Sequence, residues 1–193
     1  MEMLDCATLD LKQITQPPVL RTSAAWTILP GGAVLFAGGF EPKNVRHRAA
    51  FGDLPGAELF DSVSETWKKT SDLTVACVGY DKTLLTLKDG RALLICSSPW
   101  NVEFTASAQV YNPRTDLWHA VPGPKAARSD YGTIVRDDGR VMIFGGNALG
   151  GLSDSTEKFD PTTETWSPGP AIGRPILRAG SLKLGPNRWL IEA

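Results

Sequence analysis

Short apolar stretches alternate with polar turns along the whole chain, and the same combination of the two returns at a regular interval. Most apolar stretches are about five to nine residues long, and 19 glycines and 14 prolines among 193 residues are distributed at the turns. This texture is typical of an all-β protein with many short strands. The apolar stretches are also too short to form a membrane-spanning helix.

Three copies of the repeat carry an aromatic residue that is followed seven positions later by a tryptophan. The pairs are Phe60 with Trp67, Tyr111 with Trp118, and Phe159 with Trp166. Leu4 and Leu11 hold the same two positions in a fourth copy, at the N-terminus. Self-similarity with a step near fifty residues indicates a repeat architecture.

The third copy shows the expected strands most clearly. Its predicted elements are a strand at Ser129–Arg136, a hairpin turn at Asp137–Gly139, a buried strand at Arg140–Phe144 before Gly145 and Gly146, a third strand at Thr156–Asp160, and a fourth at Thr165–Trp166. Tight turn chemistry and alternating faces support this division into four antiparallel strands, a to d. Because both faces of such a sheet are apolar, the copies must pack face to face, and radial packing about an axis is the usual solution.

These motifs resemble the kelch repeat, in which a glycine pair closes the second strand, an aromatic lies in the third and a tryptophan in the fourth. The segment 138–146, Asp-Gly-Arg-Val-Met-Ile-Phe-Gly-Gly, is similar to bacterial kelch proteins in particular. The chain departs from the pattern at Ser97-Ser98, where the glycine pair is missing, and at Leu4 and Leu11, which replace aromatics. The resemblance implies a kelch-type β-propeller with four blade-equivalents of four antiparallel strands.

The repeat predicts one domain over residues 1–193, whose two ends belong to the same copy. Its divisions are strands c and d in 1–20, complete repeats in 21–75, 76–127 and 128–174, and strands a and b in 175–193. In one arrangement the N-terminal strands complete the C-terminal blade, which closes a four-blade ring without exposed sheet edges. In the other, the chain is a partial propeller, either a fragment or an assembling half-ring, and the hydrophobic edge strand at 189–191 is a site of aggregation or of pairing with another chain.

Composition removes several classes of partner. Twenty Lys and Arg against 21 Asp and Glu give a net charge of -1, so no overall field attracts nucleic acid or an anionic membrane. The first five residues lack the features of a cleaved secretory signal, so we expect a cytoplasmic protein. Cys6, Cys77 and Cys96 are odd in number and lack metal-type spacing, so we expect free thiols that pack as small hydrophobes.

Candidate binding residues lie on the loops from strand b to c and from d to a, which share one face of the propeller. The first b–c loop has an insertion with Arg46, His47 and Arg48, which either holds a carboxylate or phosphate or is a solvated loop tip. In the second b–c loop, Trp100 and Asn101 lie outside the repeat pattern. That tryptophan either stacks on a sugar or anchors a partner, or it folds back over its blade.

Arg21 and Arg128 occupy equivalent positions at the start of strand a, 107 residues apart. They either face the mouth of the axial channel, where they suit an anionic ligand, or bond carbonyl groups of neighbouring blades. The two histidines, His47 and His119, are too far apart in the repeat to form a metal site. We therefore expect neither a metal nor another cofactor.

The repeat scaffold with varied loops and no catalytic constellation favours a non-catalytic binding module for a protein or carbohydrate partner. The alternatives are a metal-independent carbohydrate enzyme resembling kelch-type sialic acid epimerases of bacteria, and a structural fragment of a larger propeller. Arg21 and Arg128 motivate the enzyme alternative, because two arginines suit a sugar carboxylate. We also expect a homo-oligomer if the ring does not close.

Overall fold

A computed structural model describes residues 1–40, 54–75, 77, 81–98 and 105–192, and the regular structure of these ranges is entirely β. In chain order the strands are β1 (Glu2–Leu4), β2 (Leu11–Gln13), β3 (Ala25–Ile28), β4 (Val34–Ala37), β5 (Ala57–Asp61), β6 (Thr66–Lys69), β7 (Asp81–Thr86), β8 (Ala92–Ser98), β9 (Thr105–Asn112), β10 (Leu117–Val121), β11 (Arg128–Ser129), β12 (Gly132–Val135), β13 (Val141–Phe144), β14 (Asn147–Ala148), β15 (Gly151–Leu152), β16 (Thr156–Asp160), β17 (Thr165–Pro168), β18 (Gly180–Gly185) and β19 (Arg188–Glu192). We find no helix in the described ranges with the length and apolar character needed to span a bilayer.

Three sheets have four antiparallel strands each, which we name blade 1 (β3–β6), blade 2 (β7–β10) and blade 3 (β12, β13, β16 and β17). In each blade the strands lie side by side in chain order, as the repeat predicts. The aromatic of strand c lies opposite the tryptophan of strand d in all three. Their ring centroids are 4.9 to 5.3 Å apart. The molecule is therefore an all-β partial propeller built from equivalent blades.

Two apolar clusters hold neighbouring blades together. Leu35 of blade 1 and Leu94 of blade 2 are fully buried members of the first cluster. Ile95 of blade 2 and Ile143 of blade 3 are fully buried members of the second. Consecutive strand residues such as Leu94 and Ile95 thus serve opposite faces, which is the alternation expected of a strand. Each buried leucine or isoleucine stabilises the stack by about 1.5–3 kcal/mol.

The N-terminal hairpin of β1 and β2 has the geometry of strands c and d. The Asp5 carboxylate accepts the backbone N–H groups of the residues two and three positions further on, and Asp61 of blade 1 does the same. Leu9 has a φ of 62°, and the residue at the same position of the blade 1 turn, Glu65, has a φ of 55°. The hairpin is therefore the outer half of a blade.

The two terminal hairpins do not close a ring, because β1–β2 and β18–β19 form separate two-stranded sheets. The N-terminal hairpin is anchored on blade 1, where the Trp67 indole N–H donates to the Thr15 carbonyl at 2.9 Å. The C-terminal hairpin is anchored on blade 3, where the Ser181 hydroxyl donates to the Thr133 carbonyl at 3.0 Å. These anchors lie on opposite sides of three full blades. The closed four-blade ring therefore does not form, and the structure has the second arrangement, a partial propeller.

The cysteines correct the expectation of three free, packed thiols. Cys77 and Cys96 form a disulfide bond with their Cα atoms 5.3 Å apart, and both residues are buried. Cys6 is free but exposed, because it lies in the turn of the N-terminal hairpin. Disulfides persist mainly in oxidising compartments, so this bond does not favour the cytoplasmic location that the sequence predicted.

Candidate functional site

Arg21, one of the two candidate arginines, lies inside blade 1. Its side chain is 4% exposed, and Nη2 lies 2.9 Å from Oε2 of Glu58 on β5. Nη1 donates to the carbonyl of Gly56 at 3.0 Å and also to that of Gly38, at the end of strand b. We call this set of an arginine, a strand-c glutamate and a strand-b glycine carbonyl an arginine clamp.

Blade 3 contains a second arginine clamp with the same parts. The Arg128 side chain is 1% exposed, and its Nη2 lies 3.1 Å from Oε1 of Glu157 on β16. Nη1 donates to the Gly145 carbonyl at 2.9 Å. Glu157 also accepts the backbone N–H groups of Lys125 and Ala126, at 2.7 and 3.1 Å. The buried carboxylate therefore has three donors around it.

The two arginine clamps distinguish between the two roles that the sequence suggested for Arg21 and Arg128, ligand binding and carbonyl bonding. Of the two alternatives, carbonyl bonding describes the contacts, although the carbonyls belong to the arginine's own blade rather than to a neighbour. A sugar carboxylate would have to displace Glu58 or Glu157 to reach the guanidinium groups. Removing one partner of a buried ion pair leaves an uncompensated charge, which costs about 3–5 kcal/mol. This geometry gives each arginine a part in holding its own blade closed.

Blade 2 has a different closure at the clamp position. Gln109 stands where the other blades have glutamate, and its carbonyl oxygen accepts the N–H of Thr74 at 3.0 Å. Its amide group donates to the Val75 carbonyl at 2.8 Å. The Gln109 carbonyl oxygen also accepts the N–H of Val75 at 3.4 Å. A neutral amide thus accepts the two backbone N–H groups that match those accepted by the Glu157 carboxylate in blade 3.

The disulfide of blade 2 takes the place of the bond from arginine to glycine. Pairing of Ala92 with Tyr111 and of Val141 with Phe159 gives Cys96 the same strand position as Gly145. Cys77 follows Val75 by two positions, as Arg128 follows Ala126. The departure from the glycine pair therefore falls at Cys96 and Ser97, and the expected position at Ser97-Ser98 was wrong by one residue.

A groove of about 800 Å³ opens on the loop face of blade 3, and we name it the blade-3 groove. Its principal lining residues are Lys125, Ala127, Leu149, Thr156, Trp166 and Pro168. Leu149 is 75% exposed on the b–c loop. The Trp166 indole is fixed by donating to the Pro122 carbonyl at 2.8 Å. The groove thus offers apolar surface on a firmly held wall.

A second groove, of about 390 Å³, lies on blade 1, and we name it the blade-1 groove. Its lining includes Gln16, Leu20, Trp26, Phe36 and Trp67. Trp67 donates to the Thr15 carbonyl, and Trp166 donates to the carbonyl of Pro122, which lies 107 positions after Thr15. The two grooves therefore have equivalent walls. The blade-1 groove extends further toward the inner strands and is lined there by aromatic rings.

The outer rim carries a contact between a basic and an acidic side chain that recurs between successive units. A basic residue of strand d contacts the acidic residue of the next c–d turn: Lys12 with Glu65 at 2.8 Å, Lys68 with Asp116 at 3.0 Å, and His119 with Glu164 at 2.9 Å. Partial burial raises the pKa of the Glu164 carboxyl, but hydrogen bonds from His119 and Arg91 outweigh it and lower that pKa overall. His119 is therefore part of the rim, and in the described ranges we find no group of His, Cys, Asp and Glu that could hold a metal ion.

The other candidate residues lie outside the described residues. They are Arg46, His47, Arg48, Trp100 and Asn101. Their loops join strands b and c, as does the loop that carries Leu149, so they stay predictions for the same face. Sequence reasoning missed both grooves. The available signal was the 107-residue offset, which places Thr15 and Pro122 at matching positions beside the strand-d tryptophans.

Comparison with known proteins gives a consistent result. The Kelch motif family matches residues 130–171, which include all four strands of blade 3. Human Kelch-like protein 15 is 29% identical over 110 residues, covering 54% of this chain, and alpha-scruin of Limulus polyphemus is 22% identical over 137 residues, covering 66%. The chain spans 18% and 14% of the lengths of these two relatives. The motif, the relatives and the repeated four-stranded blades support a kelch-repeat family for this chain.

Proposed function

We propose that this chain is a protein-interaction module that binds an extended segment of another protein along the loop face of blade 3. Its similarity to kelch-repeat proteins supports a role in protein binding. The observation that carries the placement is the blade-3 groove, which is lined both by the exposed Leu149 and by the Trp166 ring that Pro122 holds in place. A rigid aromatic beside an open apolar pocket is the arrangement that anchors most binding energy at protein interfaces.

The chemistry of the groove indicates the kind of segment it accepts. Leu149, Trp166 and Pro168 offer apolar contact, while Lys125 supplies a cation at the rim of the groove. The guanidinium charge of Arg128, deeper in the wall, is balanced by Glu157. We therefore expect a peptide with an apolar side chain and a nearby acidic residue. The b–c loop residues Arg46, His47, Arg48, Trp100 and Asn101 would extend this surface.

A carbohydrate is the second candidate ligand of the same groove. The Trp166 ring lines the groove, and a tryptophan held by its N–H offers a face on which a sugar can stack. A metal-independent carbohydrate enzyme would need polar donors directed at the sugar. The two arginines that motivated this alternative already donate inside their own blades.

Selection from a displayed peptide library, with a glycan array in parallel, tests the proposal directly. Peptides with an apolar and an acidic residue should be enriched, and Leu149→Asp should lose their binding. The matched control is Val63→Asp, at another highly exposed apolar position in the c–d turn of blade 1. Equal binding by Leu149→Asp and the parent chain would exclude the blade-3 groove, whereas binding on the glycan array alone would favour the carbohydrate.

A second variant set tests the loops. Replacing Arg46, Arg48 and Trp100 together by alanine should weaken binding of a selected peptide, because an aromatic anchor and two arginines are typical high-energy contacts. Unchanged affinity would limit the binding surface to the blade-3 groove.

A further inference from the structure

One face of blade 1 lacks the cover that the other blades have. Trp26 is 62% exposed, and Phe36 opposite it is half-buried. The matching residue to Phe36 in blade 3, Ile143, is fully buried against blade 2. The unit that precedes blade 1 is the N-terminal hairpin, which supplies only strands c and d. The inner part of blade 1, including the aromatic end of the blade-1 groove, therefore faces the position that an a–b hairpin takes in a complete blade.

The C-terminal hairpin has the opposite deficiency. Its strands β18 and β19 are an a–b pair, and the strand-c side of β19 has no partner strand among the described residues. Leu182 and Leu190 lie opposite each other across the hairpin and are both exposed, as is Leu184. An edge strand with an apolar face is a ready template for pairing with another chain.

The two terminal hairpins are complementary halves of a blade, and their strands also match in register. In blade 3, Val141 pairs with Phe159 and Ile143 pairs with Glu157. The equivalent pairs between β19 and β1 are Trp189 with Leu4, Leu190 with Met3, and Ile191 with Glu2. In this register the exposed leucines lie on the side of the composite sheet that faces blade 1, and so they would cover Trp26 and Phe36.

Glu2 also fits this register electrostatically. It stands where Glu157 stands in blade 3, and Glu157 accepts the N–H groups of Lys125 and Ala126. The matching N–H groups beside the C-terminal hairpin belong to Gly173 and Arg174. The exposed Arg174 side chain would add a cation next to the Glu2 carboxylate.

We propose that β18–β19 of one copy adds to β1–β2 of a second copy and completes a blade. Within one chain the hairpins are anchored at opposite ends of three blades, and the two open ends are complementary in register and in exposed apolar surface, so each fits the other end of another copy. Two copies joined twice in this way form a closed ring of eight blades, within the range of about four to eight that propellers adopt. Closure by a two-fold axis also leaves no free edge.

Light scattering behind a sizing column tests the proposal on the unmodified chain over a range of concentrations. We expect a species with twice the chain mass of 20.8 kDa, and the fraction of protein in this species should increase with concentration. Leu190→Lys should raise the dissociation constant by about tenfold or more, because it places a charge in the apolar contact. The matched control, Val63→Lys, should leave the constant unchanged.

Cross-linking tests the register. In a Cys6→Ser background, one variant carries Ile191→Cys and the other carries Glu2→Cys, and an equal mixture should form a disulfide-linked pair under mild oxidation. The out-of-register mixture of Ile191→Cys with Leu4→Cys should cross-link much less. Both mixtures report contacts between copies only, since each chain carries one new thiol.

Three results would overturn the proposal. The first is a monomer at every concentration together with no cross-link in the mixture. The second is an efficient bond within a chain that carries both new cysteines, at monomer mass, which would mean closure inside one copy. The third is a mass that grows without limit, which would replace the two-copy ring by an open head-to-tail chain.

Discussion

Blade 2 and blade 3 join the same two parts of the backbone by different chemistry. Blade 3 joins the entry to strand a and the end of strand b through Arg128, which bonds the Gly145 carbonyl and the buried Glu157. Blade 2 uses the bond between Cys77 and Cys96 at the matching positions. The exchange of an ion pair for a covalent bond indicates that the position serves to hold each blade closed. The same exchange indicates that the arginine charges at this position in blades 1 and 3 stabilise the fold rather than bind a ligand.

The largest expected effect comes from breaking the ionic closure. Arg128→Met should lower the free energy of unfolding by about 3–5 kcal/mol, because it leaves the Glu157 carboxylate buried without its cation. Urea unfolding followed by tryptophan fluorescence measures this loss. The exposed Arg114→Met is the control and should change stability by less than about 0.5 kcal/mol. A loss below about 1 kcal/mol for Arg128→Met would mean that the clamp is not a main closure of the blade.

Breaking the covalent closure should have a somewhat smaller effect. Cys77→Ala with Cys96→Ala should cost about 3 kcal/mol, because the bond closes a short loop and limits the unfolded chain. Reductant should destabilise the parent chain by a similar amount and leave the double variant unaffected. Cys6→Ala, at the exposed free cysteine, should change nothing. Equal stability of the oxidised and reduced parent chain would contradict the prediction.

Converting blade 2 into the form of blade 3 sharpens the comparison. Cys77→Arg, Cys96→Gly and Gln109→Glu together should have a free energy of unfolding within about 1–2 kcal/mol of that of the double alanine variant, because a buried ion pair with good hydrogen bonds offsets much of its desolvation. Cys77→Arg with Cys96→Gly alone, which lacks the carboxylate, is the matched control and should be the less stable of the two. The opposite ranking in urea unfolding would show that the two closures are not interchangeable.

The smallest expected effect lies at the a–b turns, where blade 2 has Lys88 and blade 3 has Asp137. A hydrogen bond from Lys183 and the N–H of Asn187 hold the pKa of the Asp137 carboxyl below its ordinary value of 3.8. Its contribution to stability is therefore present above pH 3.8 and is lost as the pH falls through the lower, folded-state pKa. The protection of the C-terminal hairpin amides against hydrogen exchange, taken relative to the intrinsic rate at each pH, should fall in that acidic range in the parent chain, and Asp137→Asn should remove this step. A step that persists in Asp137→Asn would assign the titration to another group.

Local pattern was enough to predict most of the blade. Thr156–Asp160 forms a strand with the predicted bounds, because alternation and flanking turn residues specify it locally. The predicted strand at Ser129–Arg136 is instead divided into β11 and β12, since Asp130 has a φ of 52° that the pattern does not reveal.

The closures and the open ends could not be predicted because they depend on contacts between distant segments. Glu157 reads as an ordinary polar position of an alternating strand, and only the folded blade shows it facing Arg128. Cys77 and Cys96 are 19 positions apart, and their pairing depends on how strand b returns past the entry to strand a. Register relates the two terminal hairpins to complementary halves of the repeat, but register alone does not determine whether they meet within one chain.

The contacts along the outer rim affect how a chain of this kind can gain blades by duplication. Each link joins a basic side chain on strand d of one unit to an acidic side chain in the c–d turn of the next, as Lys68 joins Asp116. A unit duplicated within the gene would carry both parts of the link: a basic residue on strand d, which contacts the following unit, and an acidic residue in the c–d turn, which contacts the preceding unit. The outer surface thus accommodates a change in blade number without any new pair of residues, and insertion of a copy of blade 2 would preserve every existing link.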